Sequence, residues 1–134
     1  MEKNNDLALL FIRLILALFI MHGYLKLTGI EGTTKYFASI NIPAPMIMAI
    51  LVGFLEFVGG ISVLLGIGTR IFSFLLALTM LVAILTTSLN NILGADLELS
   101  LLFASLALSF SGAGKYSIAY LKTKGDENHL LNKI

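Results

Sequence analysis

Five ionisable side chains stand out because they lie within or next to long segments that are mostly apolar: Arg13, His22, Lys26, Glu56 and Glu98. A charged group among apolar residues is costly unless it is paired, so such residues generally have a partner and a task. A carboxylate in this setting can take up or release a proton, while Arg, His and Lys can donate hydrogen bonds to a ligand. The pattern therefore predicts an interior polar site.

Glu56 is the most unusual of these residues because it stands in the middle of a long apolar segment. The first apolar segment offers Arg13 as its partner. By the helical rise, the two residues lie ~15 Å and ~9 Å from the same end of their helices, a difference that an Arg side chain spans. The sequence predicts an Arg13–Glu56 ion pair. Such a pair either opens to a ligand or only fixes the register of the two helices.

His22 and Lys26 are four residues apart and therefore share one helix face. Glu98 is placed at a comparable depth on the last apolar helix, so these three residues predict an outward-facing polar pocket. The ordinary alternative is that Lys26 extends to the lipid headgroups and His22 lies at the membrane interface. Arg13 and His22 are nine residues apart and fall on opposite sides of an ideal helix, unless Gly23 breaks it.

The composition indicates that these residues belong to a membrane protein. The 134 residues are 57% hydrophobic and 13% charged, and the mean hydropathy is +0.94. A membrane-spanning helix needs ~20 mostly apolar residues, and four stretches qualify, 7–25, 46–66, 71–89 and 91–110. The sequence predicts an all-α four-transmembrane-helix bundle over 1–120, followed by a polar cytoplasmic tail over 121–134.

The connector between the first two spans has apolar and aromatic residues at helical spacing, namely Tyr36, Phe37 and Ile40. They predict a short interfacial helix. Pro43 and Pro45 end that helix and favour the first turn of the second span.

Two further connections are short. Gly66 and Arg70 bound a tight structural turn between the second and third spans. A junction at Asn90-Asn91 predicts an antiparallel hairpin of the third and fourth. The first span lacks a cationic leader and a cleavage site, so we expect a retained helix and a mature protein that starts at Met1.

Lys and Arg are distributed unevenly between the two sides of this four-span arrangement. One side holds Lys26 and Lys35, and the other holds Lys3, Arg70, Lys115, Lys122, Lys124 and Lys133. Because cytoplasmic loops carry the excess of positive charge, both termini are expected in the cytoplasm and the chain in the cytoplasmic membrane.

Stripes of small or weakly polar residues indicate the inward faces of the helices, or simply packing seams. They are Gly53, Glu56 and Gly60 on the second helix, Thr79, Ala83, Thr86 and Asn90 on the third, and Ser100, Ala104, Ala107 and Ser111 on the fourth.

Several function classes find no support in the sequence. Cysteine is absent, so the chain's own thiolates cannot carry electrons or hold an iron–sulfur cluster. Its two histidines offer no ligand set for a metal. A net charge of +1 gives no reason to expect a nucleic-acid partner.

Over about its first 120 residues the chain resembles the DoxX family of small membrane proteins. The likeness rests on an ordered set of motifs: Leu10-Phe-Ile-Arg13, His22-Gly-Tyr-Leu-Lys26, Leu55-Glu56-Phe-Val-Gly59-Gly60, Gly66-Ile-Gly-Thr69-Arg70, Glu98-Leu and Gly114-Lys-Tyr116-Ser117. The resemblance implies a four-helix membrane bundle with a part in respiratory or redox complexes.

The leading hypothesis is thus a membrane subunit of a redox-linked complex that binds a quinone headgroup, with electrons supplied by a redox protein partner. Arg13, His22 and Lys26 would bind the ligand, while Glu56 and Glu98 would bind it and handle its protons. The resemblance implies an oxidoreductase subunit more readily than an enzyme complete in itself. The alternatives are a small transporter or channel, or a scaffold that docks other membrane proteins; a homo-oligomer stays open.

Overall fold

A computed structural model describes residues 2–88 and 92–132. Within those ranges all regular secondary structure is helical, as the sequence predicted. The helices are α1 Glu2–Leu16, α2 Leu18–Thr28, α3 Ile30–Ser39, α4 Pro45–Leu65, α5 Thr69–Ala83, α6 Asp96–Ser111 and α7 Ile118–Leu131. A π-helical turn, Ile84–Ser88, continues α5, and a 3₁₀ turn, Ile92–Gly94, precedes α6.

Three helical stretches in these ranges are long and apolar enough to cross a membrane: Asn4–Thr28, Pro45–Leu65 and Thr69–Thr87. The first comprises most of α1 and all of α2, which meet at Ala17, where the Ala17 N–H donates to the Arg13 and Leu14 carbonyls. α6 has 16 residues and covers about 24 Å, less than the ~30 Å of a hydrocarbon core.

α4 is the central helix and contacts α1, α2, α3 and α5. Glycines on both helices allow α2 and α4 to approach closely. A Cβ at Gly23 of α2 would lie 2.6 Å from the Gly53 carbonyl oxygen, and one at Gly60 of α4 would lie 2.9 Å from the Ile20 nitrogen. The stripe predicted as its inward face is indeed buried. The apolar core beside it is formed by Leu16, Phe19, Val63, Leu76, Met80, Leu101 and Leu108.

The inward face predicted for α6 was wrong. The buried positions are Leu101, Ser105 and Leu108. The small residues predicted to face inward are exposed or only half-buried: Ser100, Ala104, Ala107 and Ser111. The large side chains of Leu101 and Leu108 fill the core together with the small Ser105, so the contact lies on a different face from the predicted stripe.

The short connections follow the expected turn chemistry. α3 occupies the connector in which a short helix was predicted, and Pro45 lies in the first turn of α4. Gly66, with φ +76°, and Gly68, with φ +57°, reverse the chain between α4 and α5. The predicted hairpin junction at Asn90-Asn91 lies outside the described residues.

The polar tail forms a helix, α7, which the sequence did not predict. Its side chains are all exposed up to Leu131. Ser117 caps its N-terminus by accepting a hydrogen bond from the Tyr120 N–H. Because no residue of α7 between 118 and 131 is buried, this helix adds nothing to the core.

Candidate functional site

A cavity of about 590 Å³ lies between α2, α4, α5 and α6 and is bordered by the connection from α3 to α4. Most of its wall is apolar. Its polar lining residues are His22, Lys26, Asn41, Glu56, Thr79, Thr86, Thr87 and Glu98. Four of the five ionisable residues singled out from the sequence therefore border one cavity.

Lys26 and Glu56 form the ion pair of this cavity. The Lys26 Nζ lies 2.5 Å from the Glu56 Oε2. The Glu56 side chain is 1% exposed and the Lys26 side chain 25%, so the carboxylate is enclosed while the ammonium borders open space. The close approach of α2 and α4 positions the pair, because a Cβ at Gly53 would lie 3.2 Å from the Lys26 Cβ. Glu56 follows Gly53 by about one helical turn, and the Lys26 side chain is long enough to span that distance.

The predicted Arg13–Glu56 pair was wrong. Arg13 is 2% exposed, and its guanidinium donates to carbonyl groups, with Nε 2.9 Å from the Val63 oxygen and Nη1 2.5 Å from the Tyr116 oxygen. Nη2 donates to the Leu64 carbonyl. Val63 is seven residues beyond Glu56, about 10 Å along the helix, so the estimate of comparable depth placed Arg13 too deep.

Arg13 instead caps the C-terminal end of α4. The last carbonyls of a helix have no intrahelical partner, and a cation there also complements the helix dipole. The same guanidinium reaches the Ala113 carbonyl at 3.3 Å, in the connection that leads to α7. Its donors thus join α1, the end of α4 and the segment after α6.

His22 is oriented by its own helix. Its Nδ1 lies 2.8 Å from the Leu18 carbonyl oxygen. A carbonyl can only accept, so Nδ1 carries the proton, and Nε2 is the atom left for a ligand. The boundary between the helices of Arg13 and His22 lies at Ala17, whereas Gly23 stays within α2 and packs on Gly53.

Glu98 is placed by the first turn of α6, where a carboxylate complements the positive end of the helix dipole. It borders the same cavity as His22 and Lys26, as the predicted outer pocket requires. The pocket and Glu56 are therefore one site, while Arg13 and Arg70 lie elsewhere.

Sequence reasoning left out the wall formed by the connection from α3 to α4. Asn41 and Ala44 adopt the left-handed backbone, with φ 62° and 46°, and Asn41 borders the cavity. The sequence did contain a signal for this turn: Asn tolerates the left-handed conformation better than most residues, and two prolines, Pro43 and Pro45, follow closely. Thr79 of α5 and Thr86 of the π-helical turn also border the cavity, and both belong to the stripe that was predicted for the third helix.

The arrangement suits an amphipathic ligand with a polar head. A volume of about 590 Å³ is within the ~300–1,000 Å³ typical of small-molecule sites. The Lys26 ammonium can donate to a ligand carbonyl, whereas the Glu98 carboxylate and the His22 Nε2 can accept from a hydroxyl. Apolar walls would hold a ring or a hydrocarbon chain.

Apolar helices that enclose an ion pair beside a cavity define a helical integral membrane protein with an interior polar site. The chain belongs to the DoxX family, whose model matches residues 8–89. It is 34% identical to the "Putative oxidoreductase CatD" of Bacillus subtilis (strain 168), over 96% of each chain. It is 33% identical to the "Inner membrane protein YqjF" of Escherichia coli (strain K12), over 92% of this chain and 98% of that one. No solved structure matches the chain.

Proposed function

We propose that this protein is a membrane subunit of a redox-linked complex and that its cavity binds the headgroup of a quinone. The main support is the Lys26–Glu56 ion pair, which borders an apolar cavity together with His22 and Glu98. The name of the Bacillus subtilis relative, "Putative oxidoreductase CatD", supports a redox role.

The chemistry assigns a role to each polar group. Lys26 donates to a quinone carbonyl oxygen, on which negative charge develops as the ring is reduced. Reduction to the hydroquinone takes two electrons and two protons. The electrons come from a partner redox protein, since the chain has no cysteine to relay them. Glu98 and Glu56 are the proposed proton carriers: each carboxylate takes up a proton from water and passes it to a quinone oxygen, and the His22 Nε2 accepts a hydrogen bond from the hydroquinone hydroxyl.

The proposal includes a fourth membrane crossing and an orientation. α6 packs along α5 and carries Glu98 into the cavity wall, so it belongs to the bundle although it is short. The turn of residues 92–94 before it adds length. By the bias of Lys and Arg, the termini are cytoplasmic and α3 lies on the outer side. The cavity then opens toward the outer half of the membrane.

A transporter role has less support. A path of this kind needs Arg13 and Glu56 to line it together. Arg13 instead donates to backbone carbonyls, one of them that of Val63, which lies about 10 Å along α4 from Glu56.

Binding of a short-chain quinone analogue to the full-length protein in nanodiscs tests the proposal. Lys26→Met should weaken binding at least ~10-fold, the equivalent of about 1.4 kcal/mol. His22→Ala should weaken it as well, because the variant loses the Nε2 acceptor. His129→Ala, on the exposed helix α7, is the matched control and should bind like wild type. Equal affinity in all four proteins would contradict the proposed site.

A further inference from the structure

The lining of the cavity around Lys26 is not uniform. His22 and Lys26 come from α2 and Glu98 from α6, so most of its ionisable groups lie on these two helices. α4 and α5 each contribute an apolar row with the i, i+3, i+7 spacing of one helix face. The rows are Met48, Leu51 and Leu55 on α4 and Leu75, Leu78 and Val82 on α5. The cavity therefore has a polar part and an apolar part.

The apolar rows continue into the outer surface of the bundle. Leu51, Leu78 and Val82 line the cavity, yet they are 57%, 42% and 49% exposed. Phe54 follows Leu51 by three positions and Leu81 follows Leu78 by three, and both are exposed without lining the cavity. Three positions are about 60° of rotation, in the same sense on both helices. Since α4 and α5 are antiparallel, this rotation turns both exposed edges to the same side of the pair.

The two edges form a lateral mouth, because α4 and α5 touch only nearer the turn that joins them. A Cβ at Gly59 would lie 3.4 Å from the Leu76 Cδ2 and 3.5 Å from the Phe72 Cδ1, so the helices are in contact there. Counted from that turn, Leu51 lies ~22 Å along α4 and Val82 ~21 Å along α5. At this matching height, about 9–12 Å beyond the contact, the cavity lies between the two helices.

The mouth is placed within the apolar length of both helices. α4 has 21 residues and covers about 32 Å, close to the ~30 Å of a hydrocarbon core. Leu51 lies about 9 Å from the start of α4, and Val82 about 8 Å from the end of the apolar stretch Thr69–Thr87. The side chains at the mouth are all aliphatic. The mouth therefore faces lipid chains, and a molecule dissolved in the membrane reaches it without crossing water.

We propose that the ligand of this cavity is a chain-bearing lipid that enters sideways from the membrane, with its head at Lys26 and its hydrocarbon chain lying in the lateral mouth between Leu51 and Val82. The inference rests on the proposed function for the head of the ligand and adds the class to which it belongs. A membrane-dissolved quinone with a long chain fits both parts of the cavity, whereas a water-soluble quinone leaves the apolar rows unused.

Two quinones that share one head, with and without a saturated chain, test the proposal in nanodiscs of the full-length protein. Leu51→Trp and Val82→Trp place an indole in the mouth, where it blocks the chain while the head pocket stays open. Each should weaken binding of the chain-bearing quinone at least ~10-fold and leave binding of the chainless one within about twofold. Phe54→Trp and Leu81→Trp are the matched controls on the neighbouring exposed positions and should bind both quinones like wild type.

The comparison of variants removes the effect of partition into the membrane, which is the same for all of them. Equal loss of both quinones in Leu51→Trp and Val82→Trp would overturn the proposal, because these residues would then act on the head. No loss of the chain-bearing quinone would overturn it as well.

A second probe separates this proposal from the quinone itself. It carries the same chain, with a photoreactive diazirine at the end, on a phosphocholine head. If neither quinone binds wild type, the quinone is wrong, and saturable labelling of Leu51, Leu78 and Val82 by the second probe would still support sideways entry of a chain-bearing lipid. Labelling there that is no stronger or more saturable than at Phe54 and Leu81 would overturn it.

Discussion

The Lys26–Glu56 pair allows a prediction about folding in which the two single changes are unequal. Lys26→Met leaves a carboxylate that is 1% exposed without its cation. Breaking a buried pair in this way costs about 3–5 kcal/mol of unfolding free energy. Glu56→Leu leaves instead an ammonium whose side chain is 25% exposed and borders the cavity, so its cost should be smaller, about 1–3 kcal/mol.

The double variant should recover most of the loss. With both charges removed, two apolar side chains replace the pair, and such replacements are often neutral for stability. The unfolding free energy of Lys26→Met/Glu56→Leu should lie within about 1 kcal/mol of wild type. The coupling energy would then be at least ~2 kcal/mol, well above the ~0.5 kcal/mol scatter of independent sites.

Reversible unfolding in mixed micelles of a mild detergent and dodecyl sulfate measures these differences. Arg13→Leu combined with Glu56→Leu is the matched control. Its effects should add within about 0.5 kcal/mol, because Arg13 bonds to carbonyls and not to Glu56. Additive losses for Lys26 and Glu56, or coupling between Arg13 and Glu56, would refute the pairing described here.

Three further predictions use the same preparations. Arg13→Leu alone should cost about 3–5 kcal/mol, because several carbonyls lose a charged donor, and Arg13→Lys should restore less than half of it in the micelle assay. Gly23→Ala should lower the unfolding free energy by at least ~2 kcal/mol, because the added Cβ would meet the backbone of α4. Gly32→Ala is the control: its Cβ would have no atom within 4 Å, so this variant should raise the unfolding free energy by about 0.5–1 kcal/mol. Equal effects of the two changes would contradict the close contact of α2 and α4. A cysteine at Ser39 should react with an impermeant thiol reagent in whole cells and one at Thr123 should not, and the reverse labelling would exclude the proposed orientation.

Much of the fold could be predicted from apolar patterning. The three long spans, the helix in the connector, and the buried stripe of α4 follow from hydropathy, proline placement and small residues. The inward face of α6 could not, because small residues mark a helix contact only where another backbone approaches closely. At Leu101 and Leu108, large side chains form the contact instead.

The residues of the candidate site could be predicted from the sequence, but the partner of Glu56 could not. His22, Lys26 and Glu98 were expected to share a pocket, and Glu56 to have a cation. The choice of that cation depends on the register of α2 against α4, which Gly23 and Gly53 set by close contact. Counting residues from the helix ends gives the depth of each side chain but not this register. The carbonyl partners of Arg13 are likewise invisible in sequence, because any backbone can supply them.

The most direct test of the central claim is to identify the lipid-soluble small molecules retained by the protein after gentle purification. Mass spectrometry should find a quinone with wild type and with Leu81→Trp, an exposed position of α5 that does not line the cavity. Ala83→Trp, two residues further along and in the cavity wall, should fill the space and lose the quinone. Phospholipid alone in wild type, or equal quinone content in the Ala83→Trp variant, would contradict a quinone site in this cavity.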